Sequence, residues 1–286
     1  MTAVTDGFDQ ETPQDDWPTT VELVIATGGK HVYRVTGDDV PGGELMLPSV
    51  TTLLRAINKP ALVGWAAAAT AEWVVENMDT MSVLAEGDPQ AAVDIAKGAP
   101  WRHRDKAAAR GSEAHRLIAA GVPSAVVAAD PSKVEVAALV ESWELWLAEG
   151  DFVVIDQEVT VASLTHGWAG TLDVLVRDEM TDQVGVIDIK TGRSVVDRTG
   201  ALYPENPLQV AAYAACDIGH EYGTPTFGAV LHLTETGATE YTAFADETQW
   251  TTEADWAAHP PPLSSLVGIM DAVTVLARHL GMAVTS

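Results

Sequence analysis

The chain predicts an α/β (α+β) fold in which a helical N-terminal part precedes an antiparallel meander flanked by helices. Three observations predict it. Apolar residues recur at helical spacing from Pro60 to about Asn77 and from Arg102 to Ala120. They do so again in PSKVEVAALVESWELWLAEG, which opens with a cap at Ser132 and stops at Gly150. At Phe152 the period becomes that of strands, giving FVVIDQEVTVA, WAGTLDVLVRD and QVGVIDIKTG, with THG and DEMTD as turns. Finally, PENPLQVAAYAACDIGH reads as a helix, FGAVLHLTE and ATEYTAFA as two strands around TG, and Leu263 to Met282 as a closing helix. Near the start, TVELVIA and HVYRVTG form two strands around TGGK, and PSVTT is a helix N-cap.

The 286 residues, 47% of them hydrophobic, suffice for one large domain. Residues 1–18 have the composition of a disordered acidic tail. Residues 19–100 form a hairpin and helical segment, and 101–286 form the main core. The longest apolar run, from Pro60, is broken by Thr70 and Glu72 and is too short to span a bilayer. The start of the chain lacks the pattern of a secretory signal, so a soluble, cytoplasmic protein with no membrane partner is expected. The single cysteine, Cys216, excludes an intrachain disulfide and an all-cysteine zinc or iron–sulfur site. The formal charge of −25 argues against nonspecific coating of nucleic acid.

Within VGVIDIKTG an aspartate and a lysine stand two residues apart on a strand, so Asp188 and Lys190 share a face while Ile187 and Ile189 point into the core. The preceding strand offers Asp173 in GTLD, and the separation of fifteen residues (188 minus 173) fits a hairpin that sets the two carboxylates across from each other. Facing carboxylates repel unless a cation lies between them, and hard oxygen ligands suit Mg²⁺ or Mn²⁺. A metal-activated water beside an ammonium suits phosphodiester hydrolysis. A D-x-K pair on its own is more often a solvated ion pair.

Taken in chain order, GSEAHRLI, GTLD, IDIK and LQVAAYAA resemble the PD-(D/E)XK nuclease superfamily. Within it they are similar to the RecB-like branch, which includes the CRISPR-associated adaptation exonucleases and many phage exonucleases. The resemblance covers roughly Arg102 to Glu235, and LPSVTTLLRAINKPALVGWAAAATA resembles the helical N-terminal segment of actinobacteriophage members. It implies a restriction-endonuclease-like core with a central mixed sheet, and a phage or prophage origin in a bacterial host cytoplasm. It implies a Mg²⁺- or Mn²⁺-dependent deoxyribonuclease in which His115, Asp173, Asp188 and the Ile189 carbonyl hold the metal. Lys190 would be the catalytic lysine, with Gln209 and Tyr213 on the following helix and Glu158 on the strand before Asp173 as further catalytic-site residues. Asp156 shares the face of Glu158. The iron–sulfur cluster of some relatives is ruled out by the lone cysteine.

DNA is the implied partner, with a single-strand annealing protein and a homo-oligomer compatible with the resemblance. The basic residues gather in WRHRDKAAAR (Arg102, Arg104, Lys106, Arg110) and in TGRSVVDRTG (Arg193, Arg198), the expected DNA contacts. Trp168 before AGTLD is a candidate for stacking on a base or for core packing, and Trp143 and Trp146 are candidates for the core. A structure-specific endonuclease of the same fold and a noncatalytic accessory protein remain open beside the exonuclease reading.

Overall fold

The computed structural model describes residues 19–26, 30–57, 59, 61–192, 194–196, 202–244 and 263–281. The acidic tail (1–18), the turn at 27–29, Arg193 and Arg198 lie outside the described residues. The molecule is mixed α/β. Its main sheet runs β4 (Phe152–Ser163), β5 (Trp168–Asp178), β6 (Val184–Thr191), β7 (Phe227–Thr234), β8 (Gly237–Phe244), in that spatial order. All five strands were expected, three as a meander and two around a TG turn, and β4–β5, β5–β6 and β7–β8 are antiparallel. The β5–β6 turn forms where the Asp178 carboxylate accepts from the N–H groups of Met180 and Thr181. Strands β6 and β7 are parallel, so the chain must cross over, and α8 (Glu205–Ala214) lies in that connection.

Helices cover both faces of the sheet. One face carries Val174, Val176, Ile187, Ile189, Ala229 and Leu231 against α5 (Ala99–Ala119) and α7 (Val134–Glu149), where Trp143 is buried and Trp146 packs beside it. The other carries Leu175, Val184, Val186 and Val230 against α8 and α9 (Leu263–His279). Strand β6 is therefore buried on both sides, as a parallel-paired strand should be. Trp168 settles in the second of these cores, fully buried, with its indole N–H donating to the Ala212 carbonyl at 2.9 Å. It is out of reach of any base.

A second sheet, β1 (Thr19–Ala26), β2 (Lys30–Gly37) and β3 (Glu44–Pro48), is antiparallel throughout. Tyr33, Val35 and Leu47 pack with Ala162 and Ala169 of the larger sheet's end and with Ile218, which bridges to Ala162. Ser49 caps α1 (Val50–Leu53) as predicted, accepting from the Thr52 N–H at 3.1 Å, and Val50, Leu53 and Leu54 enter the main core. Three further helices were not foreseen: α3 (Met78–Gly87), α4 (Pro89–Lys97) and α6 (Ser124–Val127). With α2 (Ala61–Glu76), α3 and α4 form an arm over the first half of α5, and the 100/101 boundary falls inside α5. The cap expected at Ser132 sits two residues earlier: Asp130 accepts from both the N–H and the hydroxyl of Ser132, opening a 3₁₀ turn that leads into α7. Its carboxylate carries a charge that favours the free N–H groups at a helix start more than a neutral hydroxyl does. Among the described residues no helix is long and apolar enough to cross a membrane.

Replacing Trp168 by Ala empties a fully buried site and removes the indole donor from the Ala212 carbonyl. The expected loss is about 3–5 kcal/mol of stability, read from the urea midpoint.

Candidate active site

The β5–β6 ladder ends at Val174 and Ile187, and one step beyond it Asp173 stands across from Asp188, as the spacing predicted. No backbone pairing continues there. Instead, Asp173 Oδ2 accepts the Ile189 N–H at 2.7 Å. A strand residue directs its N–H and C=O to the same neighbour, so the Ile189 carbonyl also faces the gap beside Asp173, where the resemblance expects a metal-ligand carbonyl.

The Asp188 side chain is only 1% exposed, which rules out a solvated D-x-K pair. Lys190 Nζ lies 2.6 Å from its Oδ2, an ion pair off the hydrogen-bonding direction, so that buried oxygen has no hydrogen-bond partner. The ammonium is aligned elsewhere: Nζ donates to Gln209 Oε1 at 3.0 Å, and Gln209 Nε2 donates to the Tyr213 hydroxyl at 3.1 Å. Gln209 and Tyr213 share a face of α8, one turn apart. Tyr213 is buried, so it braces Gln209 and does not reach solvent or DNA. Its ring lies against Gly170, where an added Cβ would meet ring carbon Cε1 at 2.3 Å.

Burial pushes the Asp188 carboxyl up to about 6, with the Asp173 charge adding to it and Lys190 and His115 opposing. For Lys190 burial acts downward, but the Asp188 and Asp173 charges outweigh it and raise the ammonium's pKa. His115 behaves alike: burial lowers it, and the Asp173 hydrogen bond with the two aspartate charges raises it overall.

His115 approaches from α5, its Nδ1 3.4 Å from Asp173 Oδ1. The helix can come this close because Gly111, one turn before, carries no Cβ; one built there would lie 2.5 Å from the Thr191 hydroxyl. The third partner is Glu158. Regular pairing brackets it between Gln157 with Val174 and Val159 with Leu172, opposite Asp173, but its φ is +54°, in the left-handed region that non-glycine residues avoid. A register shift between Val154 and Asp156 precedes it. Donor atoms of His115, Glu158 and Asp173 lie within 4.8 Å of one another. Asp156 does not join them: it accepts the Gln157 N–H at 2.8 Å. Asp188 also stands outside this trio, turned toward Lys190, so the group that converges differs from the expected His115, Asp173 and Asp188 by taking Glu158. Crowding shows in Glu158, whose pKa is raised by burial and by the Asp173 charge, with His115 opposing.

An open depression of ≈ 640 Å³ exposes this trio, lined also by Ser112 and Arg116. Sequence reasoning missed both. Their signal was position: each lies on the His115 face of α5, one within a turn before it and the other directly after. Tyr33, whose hydroxyl lies 3.0 Å from Thr171 Oγ1 two residues before Asp173, was also missed, because nothing local to β2 announces the contact.

The expected DNA contacts are dispersed. Arg102 stacks on Trp73 of α2 and donates to the Ile95 carbonyl. Arg104 pairs with Asp105 and lies over Trp101. Arg110 bridges Glu135 and Glu235 and, with Lys106 and His103, lines a separate cavity of ≈ 490 Å³.

No family model matches the sequence, and no curated protein matches it. Among solved structures, one titled "Crystal structure of SSO0001" is 16% identical, with a TM-score of 0.28 over 57% of this chain and 70% of that one. At that score the likeness carries no argument.

Two outcomes are expected. First, both Asp188 and His115 hold protons more tightly in the fold than free, so the metal-free protein should lose stability as the pH rises from about 4 to about 7. Mn²⁺ should reverse that trend, raising Tm by ~5 °C at a hundredfold excess over Kd and losing this effect as the pH falls through about 6. Thermal melts of the wild type and Asp173→Asn across that range, with and without Mn²⁺, measure it, and the variant should show no Mn²⁺ gain. Second, Gly170→Ala drives a methyl into the Tyr213 ring and should cost about 1–3 kcal/mol in urea unfolding. Because Tyr213 braces Gln209, any metal-dependent activity should fall with it.

Proposed function

We propose that the chain is a metal-dependent deoxyribonuclease of the PD-(D/E)XK type, an exonuclease that hydrolyses phosphodiester bonds in phage DNA recombination, repair or replication. The observation that carries this reading is the convergence of His115, Glu158 and Asp173 donor atoms within 4.8 Å of one another, beside the buried Asp188–Lys190 pair. Two carboxylates this close repel each other, and a cation is the partner that these carboxylate oxygens and the imidazole nitrogen would hold. These donors suit Mg²⁺ or Mn²⁺, with His115, Asp173 and Glu158 converging and Asp188 and the Ile189 carbonyl facing the same gap.

Such a metal, when bound, supplies a water of lowered pKa and positive charge against a phosphoryl oxygen. The chain's own groups do the rest. Lys190, fixed between Asp188 and Gln209, holds its ammonium where it can orient a nucleophilic water or donate to charge developing on phosphate. Tyr213 locks Gln209 and thereby limits the directions open to Lys190. Glu158, half turned to solvent in the depression, is placed to accept a hydrogen bond from a water there.

The test incubates purified protein with end-labelled linear DNA and with closed circular DNA, in Mg²⁺, Mn²⁺ or EDTA, beside Lys190→Ala. Loss of linear DNA alone is expected, abolished by EDTA and reduced at least ~100-fold in the variant. Cutting of the circle would replace the exonuclease by an endonuclease of the same fold. No cutting of single-stranded, duplex or branched DNA would leave a noncatalytic accessory protein.

A further inference from the structure

Residues 97–110 hold five of the chain's 16 Lys and Arg and one acid, Asp105, in a protein of formal charge −25. Both cation–π pairs among the described residues fall in this stretch. They differ in use. Arg102 lies 4.9 Å over Trp73 and reaches the Ile95 carbonyl, so it ties α2 and α4 to α5. Trp101 and Arg104 tie nothing together: the guanidinium lies 4.8 Å over a ring that is 58% exposed, and both belong to the same helix. A large aromatic with a guanidinium over the ring and more than half of its surface in water still offers area for a base to stack on.

Its direction along α5 adds the second observation. From Trp101 the steps to Arg104, Ala108, Ser112 and His115 are three, four, four and three residues, so all five lie on one stripe of a continuous helix. The first four are exposed, and Ala108 and Ser112 leave the middle of the stripe low. It ends at the depression formed by Ser112, His115, Arg116, Glu158 and Asp173. Fourteen residues of helix rise roughly 20 Å, which a stacked strand at about 3.4 Å per nucleotide covers in about six nucleotides.

We infer that the exposed stripe of α5 is a track for single-stranded DNA, with a base stacked on Trp101, Arg104 on the neighbouring phosphate, and the strand led along Ala108 and Ser112 to the metal-binding depression. This rests on the nuclease reading for the role of the depression. One aromatic face and one guanidinium in line suit unpaired bases, because a duplex keeps its base faces covered. The Arg104–Asp105 pair is exposed and weak, so a phosphate can take the guanidinium from it.

Fluorescence anisotropy in EDTA tests it without any need for catalysis, with labelled oligothymidylates of about 20 and about 4 nucleotides and a duplex of the longer length. The wild type should prefer the long single strand to the duplex. Trp101→Ala with Arg104→Ala should weaken the long strand about tenfold or more and leave the short one unchanged, and Trp101→Phe should retain most of the affinity. Both residues are exposed, so these variants keep the fold. Equal affinity of variant and wild type for the long strand, no binding by the wild type, or equal preference for duplex would each overturn the track. A protein that binds in this way yet never cuts DNA would retain the track and lose the nuclease reading, and one that cuts but binds alike in variant and wild type would do the opposite.

Discussion

Between Asp173 and Ile189 a side-chain carboxylate takes the N–H that a neighbouring strand would otherwise have claimed. That one hydrogen bond lets β5 and β6 part at Val174 and Ile187 without leaving a backbone donor unsatisfied, and the parting makes the gap into which Asp188, Lys190 and the Ile189 carbonyl look. The rest of the site follows from it. Strand β6 stays in place because β7 still pairs with it through Thr191, and the helix in the β6–β7 crossover brings Gln209 and Tyr213 over the lysine.

The region is costly to hold. A buried ion pair loses more hydration than it regains unless its geometry is good and its remaining lone pairs are satisfied, and Asp188 is 1% exposed beside Lys190. Glu158 adds a left-handed backbone, worth about 1–3 kcal/mol of strain. Two apolar layers offset this: β6 is flanked by Ile187 and Ile189 on one side and Val184 and Val186 on the other, each packed under helices. The charged cluster thus sits on one of the most firmly held strands of the sheet, which is where the placement of a side chain is easiest to keep.

Much of this was legible because the signals are local. Alternation named β4 to β8, and the fifteen-residue spacing placed Asp173 opposite Asp188 through the register of a single hairpin. What was hidden depends on contacts between distant segments. The short strand β3 acquires its meaning only from β2, and α3 buries none of its residues, so neither shows the pattern of an amphipathic element. The basic stretch was visible, but not that Arg102 would be spent on Trp73 and Arg110 on Glu135 and Glu235. Glu158 was seen as a strand residue; its reversed φ, which sets it apart from Asp156, has no sequence signal, since nothing about a glutamate invites that conformation.

The seam between the two sheets bears on how the chain can be divided. Val50, Leu53 and Leu54 are built into the same core as Trp168 and Met270, and Tyr33 reaches to Thr171 beside the site. A shortened chain that keeps every residue of the D-x-K sheet but starts after α4 would therefore open that core and unsupport the strand that bears Asp173. The N-terminal hairpin is a support for the strand that bears Asp173, and swapping it between related chains would disturb the packing beneath that strand.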